Sequence, residues 1–453
     1  MKCFKAYDVR GTVGVDLDEA IARRIGRAIA AALSARRVVV GRDSRDSSPR
    51  LAAALIQGLA ESGAEVLDLG LAGTEEVYFA TGRTGADAGV EITASHNPAD
   101  QNGMKFVGPG ARPLTAAEFD RVRDLAGGEG AVAAQPGRIV AATDARAAYV
   151  AGVLDLVDIA LLPDALILVN AGNGTAGPTF DAIADGLAAR GAKLRFQRMH
   201  HAPDATFPHG VPNPLLPENQ PMTAQAVRAC GAALGVAWDG DFDRCFFFDE
   251  TGRFIPGEFV VGMLAEVFLA RHPGAAIVHD PRVVLNIRDT IVSHGGSAVM
   301  APTGHAFLKA AMRASGAIYG GEMSAHHYFR DFYCCDSGML PWLLLAELIG
   351  RSGKPMSALV GARMARFPAS GEINFRIADP AAAIAAVVAA YQAQALKRDD
   401  TDGISLEFDS WRFNLRRSNT EALVRLNVEA AGDAGKVAAE VAAIRAILDR
   451  HAG

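Results

Sequence analysis

Short apolar, β-branched runs alternate with alanine- and leucine-rich stretches along most of this chain. Val38-Val39-Val40 stops at Gly41-Arg42-Asp43, the segment from Ser48 to Ser62 has the composition of a helix, and Glu65-Val66-Leu67-Asp68-Leu69-Gly70 returns to the strand pattern. The alternation restarts at Ala165-Leu166-Ile167-Leu168-Val169-Asn170 and again at Ala275-Ala276-Ile277-Val278-His279-Asp280, each run followed by a turn cluster or polar loop and then a helix. Three related mixed α/β domains are the economical expectation. The C-terminal end reads differently: strands at Glu372-Ile373-Asn374-Phe375-Arg376, Ile404-Ser405-Leu406-Glu407-Phe408 and Leu423-Val424-Arg425-Leu426-Asn427-Val428 are flanked by alanine-rich helices at 380 to 396 and 434 to 450, a small α+β domain. Gly- and Pro-rich patches near 126 to 142 and 350 to 354 supply boundaries, and the expected domains are 1–142, 143–247, 248–362 and 363–453.

The length of 453 residues suits this division, since a domain usually takes roughly 100 to 200 residues. Half of the residues are apolar, enough to fill cores of that size. The longest apolar stretches, such as Met339-Leu340-Pro341-Trp342-Leu343-Leu344-Leu345-Ala346, stop short of the ~18 residues that cross a bilayer. Met1-Lys2-Cys3-Phe4-Lys5-Ala6-Tyr7-Asp8 lacks the apolar core of a signal peptide, so a soluble, cytoplasmic protein with no membrane partner is expected. Five cysteines, an odd number with no C-x-x-C pair, argue against a disulfide framework or a zinc ribbon. A formal charge of −6 and the lack of basic runs exclude general affinity for nucleic acid, so an anionic ligand must be held by local arginine and lysine clusters.

Two segments carry chemistry. Thr93-Ala94-Ser95-His96-Asn97-Pro98 sets a hydroxyl among small residues, beside an imidazole, at the end of the apolar run Ala88-Gly89-Val90-Glu91-Ile92. The same residues also make a competent turn. A nucleophilic serine needs a group to take its proton; side chains of neighbours on an extended segment point apart, so His96 is expected to serve as an anion donor, and Lys105, behind a turn at Asn102-Gly103, is the better-placed ionisable group. The second segment, Asp239-Gly240-Asp241-Phe242-Asp243-Arg244, brings three carboxylates to one face if the chain is extended, and their repulsion calls for a cation. An EF-hand is excluded at its sixth position, where Arg244 stands in place of glycine, although Glu250 falls at the twelfth. Mg²⁺, which takes a few carboxylates and completes its shell with a phosphate, fits better. Gly320-Gly321-Glu322-Met323-Ser324-Ala325-His326-His327 suits vicinal sugar hydroxyls, and Arg416-Arg417-Ser418-Asn419-Thr420 suits a phosphate.

Taken together these segments resemble the α-D-phosphohexomutases, and among them the bacterial phosphomannomutase/phosphoglucomutase group. The matches run in order along nearly the whole chain: Ala6 to Gly11, Val40 to Asp43, Thr93 to Pro98, Asp239 to Arg244, Thr303-Gly304-His305, Gly321 to His326 and Arg416 to Thr420. The resemblance implies three related α/β domains and a C-terminal α+β domain with a fold like that of TATA-binding protein, arranged around a central cleft. It implies that Ser95 is the phosphoserine, that Asp239, Asp241 and Asp243 hold Mg²⁺ together with Ser95, and that Lys105 assists proton transfer with Tyr7, Arg10, His96 and Arg244 around the phosphoryl group. Glu322 and Ser324 then grip the sugar 3- and 4-hydroxyls, with His305 and His326 at the sugar site, while Arg416, Ser418, Asn419 and Thr420, with Arg282, hold the phosphate that is not transferred. The chain departs from the common pattern at Pro302, where a basic residue is frequent, at Ala422, where proline is usual, and at Phe242, which replaces a common glycine.

The activity so implied is interconversion of mannose 6-phosphate and mannose 1-phosphate, and of the glucose pair, by a monomer that uses glucose or mannose 1,6-bisphosphate as intermediate and activator. Met323 favours these hexoses over the glucosamine branch, whose members usually carry glutamine there. The rival activities are a metal-dependent phosphatase using the same serine, a phosphoglucosamine mutase and a non-catalytic sensor of sugar phosphates.

Overall fold

The alternation of strand and helix patterns is realised, in a computed structural model that describes residues 1–282, 284–417 and 423–451, as two compact units, each discontinuous in sequence. Residues 1–254 and 326–355 form one, and residues 255–325 and 356–453 the other.

The first unit opens with β1 (Val9–Thr12), α1 (Glu19–Leu33), β2 (Arg37–Arg42), α2 (Ser48–Glu61), β3 (Glu65–Leu71), α3 (Thr74–Thr84), β4 (Ala88–Ile92), β5 (Gln101–Val107), α4 (Ala116–Ala126) and β6 (Ile139–Ala141). Asp18 caps α1 by accepting from the Ile21 amide at 2.7 Å, and Thr115 with Glu118 forms a capping box on α4. The sheet runs β1-β5-β4-β2-β3-β6, parallel where helices cross over and antiparallel at β4–β5 and β5–β1. Strand β4 is buried along its whole length, as expected of a central strand covered on both faces. Asn102-Gly103, expected to turn, lies inside β5, where a Cβ on Gly103 would come within 2.0 Å of the Val9 carbonyl oxygen. The glycine there lets β1 approach.

A second sheet of the same unit follows, with α5 (Ala145–Leu154), β7 (Leu166–Asn170), α6 (Ala176–Ala189), β8 (Arg195–Met199), α7 (Gln220–Cys230), β9 (Leu234–Trp238) and β10 (Cys245–Asp249). Strands β8, β7 and β9 are parallel, and β10 folds back antiparallel to β9. The two antiparallel returns, β4 to β5 and β9 to β10, are the places where the unit presents short loops instead of crossover helices.

In the second unit, strands Ser297–Met300, Ala276–His279 and Tyr319–Gly321 pair in parallel, with helix Leu285–Ser293 and helix His305–Ser315 in the connections. The C-terminal part is a five-stranded antiparallel sheet in the order Ile373–Arg376, Leu423–Ala430, Trp411–Arg417, Ile404–Glu407, Lys397–Asp399. Helices Pro380–Tyr391 and Ala434–Leu448 close one core with it. The first of these helices is shorter than its alanine-rich stretch, because the chain tightens into a 3₁₀ turn at Gln392–Gln394 where Tyr391 packs on Trp411 and Phe413. No helix among the described residues is long and apolar enough to cross a membrane.

Candidate active site

The loop from β4 to β5 holds Ser95, and a buried arginine holds the loop. Arg45 donates to the carbonyl oxygens of Ser95 (2.9 Å), Asn97 (2.6 Å), Pro98 (2.8 Å) and Gln101 (3.0 Å). The Ser95 amide donates to Thr93 Oγ1 at 2.8 Å, and Ser95 itself is left-handed, with φ 52°. That conformation changes the geometry expected of neighbours. Ser95 Oγ lies 3.1 Å from His96 Nδ1, because the chain turns between them.

The loop from β9 to β10 carries the aspartates, and it is a tight turn where an extended segment was expected. Phe242 takes φ 47°, and its ring fills the space above Gly73, where a Cβ would lie 2.1 Å from Phe242 Cε1. The turn, in place of strand alternation, converges Asp239, Asp241 and Asp243: one oxygen of each lies within 4.8 Å of the others, and all three residues are buried. Ser95 Oγ donates to Asp239 Oδ2 at 2.7 Å, so the serine and the triplet form one site.

Basic groups answer the acidic ones. Arg244 binds Asp239 Oδ2 through Nε (2.9 Å) and Nη2 (2.7 Å), and also donates to His96 Nδ1. A guanidinium can only donate, so Nδ1 is an acceptor here and His96 is neutral in this arrangement; Arg244, burial and Arg10 together push its pKa down to about 2. Lys105 Nζ donates to Asp241 Oδ2 at 2.7 Å and to Asp243. Burial opposes a charged ammonium, yet Asp241 and Asp243 outweigh it and hold Lys105 protonated, above its usual range. Arg10 bonds Asp8 at 2.8 Å and reaches the Thr93 carbonyl at 3.3 Å, while Tyr7 is 43% exposed.

Two buried atoms show what the site lacks in protein partners. Oδ1 of Asp241 and Oδ1 of Asp243 accept no hydrogen bond, which costs about 1–3 kcal/mol for each such group. Three carboxylates and a hydroxyl form an all-oxygen donor set, the kind that suits a hard divalent cation. His326 extends the cluster on one side, with Nε2 3.8 Å from Asp243 Oδ1 and 4.0 Å from Asp336 Oδ2.

The remaining expected residues fall in the second unit. Glu322 is buried and accepts from the Gly304 amide at 2.8 Å, ahead of His305, the first residue of its helix. Arg282 bonds Asp280 at 2.6 Å and lies 3.7 Å from Glu322 and 3.4 Å from Ser324 Oγ. Arg416 pairs with Glu372 at 2.7 Å. Ser418, Asn419, Thr420 and the departure at Ala422 lie outside the described residues. His326, expected beside Glu322 and Ser324, belongs to the first unit, since the chain leaves the second unit after Ala325.

Sequence reasoning missed Arg45, Thr74 and Asp336. Thr74, at the start of α3, donates to Asp241 Oδ2 at 2.6 Å. The signal for Arg45 was present in Arg42-Asp43-Ser44-Arg45 after an apolar strand, but a charge there reads as a solvated turn until the fold buries it. Thr74 and Asp336 carry no local signal.

Sequence profiles of the phosphoglucomutase/phosphomannomutase family match in four consecutive stretches: α/β/α domain I over residues 1–130, domain II over 147–252, domain III over 256–367 and the C-terminal domain over 372–447. The phosphomannomutase of Salmonella montevideo is 52% identical over 446 residues, 96% of each chain. A protein described as phosphohexose mutases, from Xanthomonas campestris pv. campestris, is 52% identical over 435 residues, again 96% of each. The X-ray structure of a phosphoglucomutase/phosphomannomutase family protein from Burkholderia thailandensis superposes with a TM-score of 0.87 at 29% identity, covering 100% of this chain and 98% of that one.

Proposed function

Since the chain belongs to the phosphoglucomutase/phosphomannomutase family of α-D-phosphohexomutases, we propose that the hexose phosphates it interconverts are those of mannose and, beside them, glucose. The general activity, exchange between hexose 6-phosphate and hexose 1-phosphate through a phosphoserine, is that of the family. Mannose is favoured by the similarity to the phosphomannomutase of Salmonella montevideo and by Met323 in the loop after strand Tyr319–Gly321. The observation that carries the reading is the 2.7 Å contact of Ser95 Oγ with Asp239, which brings a hydroxyl to the aspartate triplet.

In this reading Ser95 carries the phosphoryl group, and Asp239, Asp241 and Asp243 with Ser95 hold Mg²⁺. The cation, when bound, neutralises charge on the transferring phosphoryl oxygens. A free hydroxyl of the hexose monophosphate attacks phosphorus, the P–O bond to Ser95 breaks as the new one forms, and the hydroxyl proton passes to a nearby base. The hexose 1,6-bisphosphate turns and returns its other phosphoryl group to Ser95; added bisphosphate serves as activator by restoring the phosphoserine. Arg10, His96, Arg244 and Tyr7 attend the phosphoryl group, and His326 lies at the edge of the acidic cluster. Glu322, Ser324 and His305 read the sugar, and Arg282, Arg416, Ser418, Asn419 and Thr420 hold the outer phosphate. Lys105 serves in proton transfer, for which it must first leave Asp241 and Asp243, because an ammonium pinned between two carboxylates gives up no proton. The domains are 1–142, 143–247, 248–362 and 363–453, the last with the fold of TATA-binding protein.

The test pairs rate with mass. Ser95→Ala should fold as the parent does and lose all but a few per cent of turnover of mannose 1-phosphate and glucose 1-phosphate, assayed side by side with Mg²⁺ and a trace of bisphosphate. Intact mass after exposure to the bisphosphate should rise by one phosphoryl group in the parent alone. Substantial turnover by the variant removes Ser95 from its role, and stoichiometric release of inorganic phosphate would turn the reading to a phosphatase.

A further inference from the structure

Glu91 is a buried carboxyl that the reading above leaves without work. It sits in β4, four residues before the serine, is 1% exposed, and neither of its carboxylate oxygens has a hydrogen-bond partner. Gly41, paired with it on the neighbouring strand β2, leaves room for the side chain: a Cβ there would lie 2.4 Å from Glu91 Oε2. Burial, with Asp43 and Asp241 adding to it, raises the carboxyl well above its usual range, so Glu91 keeps its proton in this arrangement. An unpaired, fully desolvated acid is expensive to keep in a core strand where valine or isoleucine would pack.

Its partner across the sheet shows what it is for. Glu91 and Lys105 stand directly opposite each other on the antiparallel strands β4 and β5, and directly opposed residues share one face of the sheet. The Lys105 ammonium is turned away, to Asp241 and Asp243. Those are two of the three carboxylates assigned above to the cation, and a divalent ion competes with the ammonium for the same oxygens. A buried lysine released from both of its counter-charges must find another within reach of its stem.

We propose that Glu91 is a positioning residue that receives the Lys105 ammonium when a divalent cation takes Asp241 and Asp243, so that Lys105 is moved between two defined places and is never left unpaired. The inference rests on the cation reading of the aspartate triplet. On the exchange the Glu91 proton leaves to solvent and an ion pair forms on the α3 face of the sheet, one counter-charge replacing another. The serine loop and the lysine are thereby coupled through a single strand pair, since β4 leads into Ser95 and β5 carries Lys105.

Titration calorimetry with Mg²⁺ on the full-length parent, Glu91→Gln, Lys105→Met and the double variant tests this. In the parent background Glu91→Gln should weaken Mg²⁺ binding by roughly tenfold or more, because the displaced ammonium is left buried without a counter-charge. In the Lys105→Met background the same change should have no effect. A merely structural role would lower the ion-free Tm of Glu91→Gln and leave Mg²⁺ affinity alone, which overturns the proposal, as does an equal loss of affinity in both backgrounds. Should Glu91→Gln fail to fold, the crystal structure of the parent with Mg²⁺ decides: Lys105 Nζ within hydrogen-bond distance of Glu91 supports the exchange, and Lys105 still on Asp241 and Asp243 beside a bound ion refutes it. A parent that binds no Mg²⁺ at all refutes the cation reading itself, an outcome distinct from the others.

Discussion

Three carboxylates converge in a buried turn here, and single residues decide how their charge is answered. Asp241 accepts from Thr74 and Lys105 through one oxygen while the other stays unpaired. Asp241→Asn should therefore keep the turn and lose the cation: Mg²⁺ affinity is expected to fall by at least about tenfold, since ligand charge sets such affinities, and the Mg²⁺-induced rise in Tm should shrink with it. Retained affinity in calorimetry would remove Asp241 from the ligand set. A second buried acid reports on pH. Burial, with Glu429 and Asp280 near, raises Glu258 from 4.5 to about 7, and its Oε2 is unpaired. Below pH 4.5 both folded and unfolded states hold the proton; between 4.5 and 7 only the folded state does, so stability drops as pH rises and levels off above 7. The difference is about 3 kcal/mol at ~1.4 kcal/mol per pKa unit. Glu258→Gln lacks this loss, so its Tm advantage over the parent should grow from pH 5 to pH 8; a constant difference would show that Glu258 does not titrate in that window.

At the scale of elements, the site depends on two antiparallel returns and on the start of one helix. Strands, helices and the α/β alternation were legible because apolar periodicity reports burial directly, as in Val38-Val39-Val40 and Leu166 to Asn170. The shapes of the two loops were not legible, because both use non-glycine residues in left-handed backbone, Ser95 and Phe242, which no local rule selects. Phe242 is tolerated because Gly73, at the start of α3, leaves room for its ring. Gly73→Ala should push the ring and the aspartate turn aside at a cost of roughly 1–3 kcal/mol, lowering Tm and Mg²⁺ affinity together. Adding Phe242→Gly, which removes the ring and relaxes the backbone, should restore much of the Mg²⁺ affinity of the Gly73→Ala protein. Additive losses in the double variant would show that the two positions are independent.

At the scale of the whole molecule, the chain visits each unit twice, so a cut in sequence is not a cut between units. Within the second unit, Glu429 accepts from the amides of Val284 and Leu285 at the start of helix Leu285–Ser293 and binds Arg412, which also donates to the Pro281 carbonyl. Removing residues after Phe367 should therefore destabilise residues 255–325 as well, while the serine and the aspartate triplet, wholly in the first unit, continue to bind Mg²⁺. Mutase turnover should vanish. Labelled phosphate placed on Ser95 of the truncated protein should not appear as efficient conversion of 1-phosphate to 6-phosphate; if it does, the outer-phosphate role of the C-terminal region is wrong. The sequence by itself determined the α/β character of the chain, the distinct C-terminal sheet, the serine and the aspartates, because strand and helix periods and residue chemistry are local properties. Only the tertiary structure decided that Arg45 clamps the serine loop, that His96 meets Ser95, that Lys105 is spent on Asp241 and Asp243, and that Glu91 waits across the strand from it. Those facts depend on which distant side chains share one desolvated space, and charges so placed interact far more strongly than their spacing along the chain reveals.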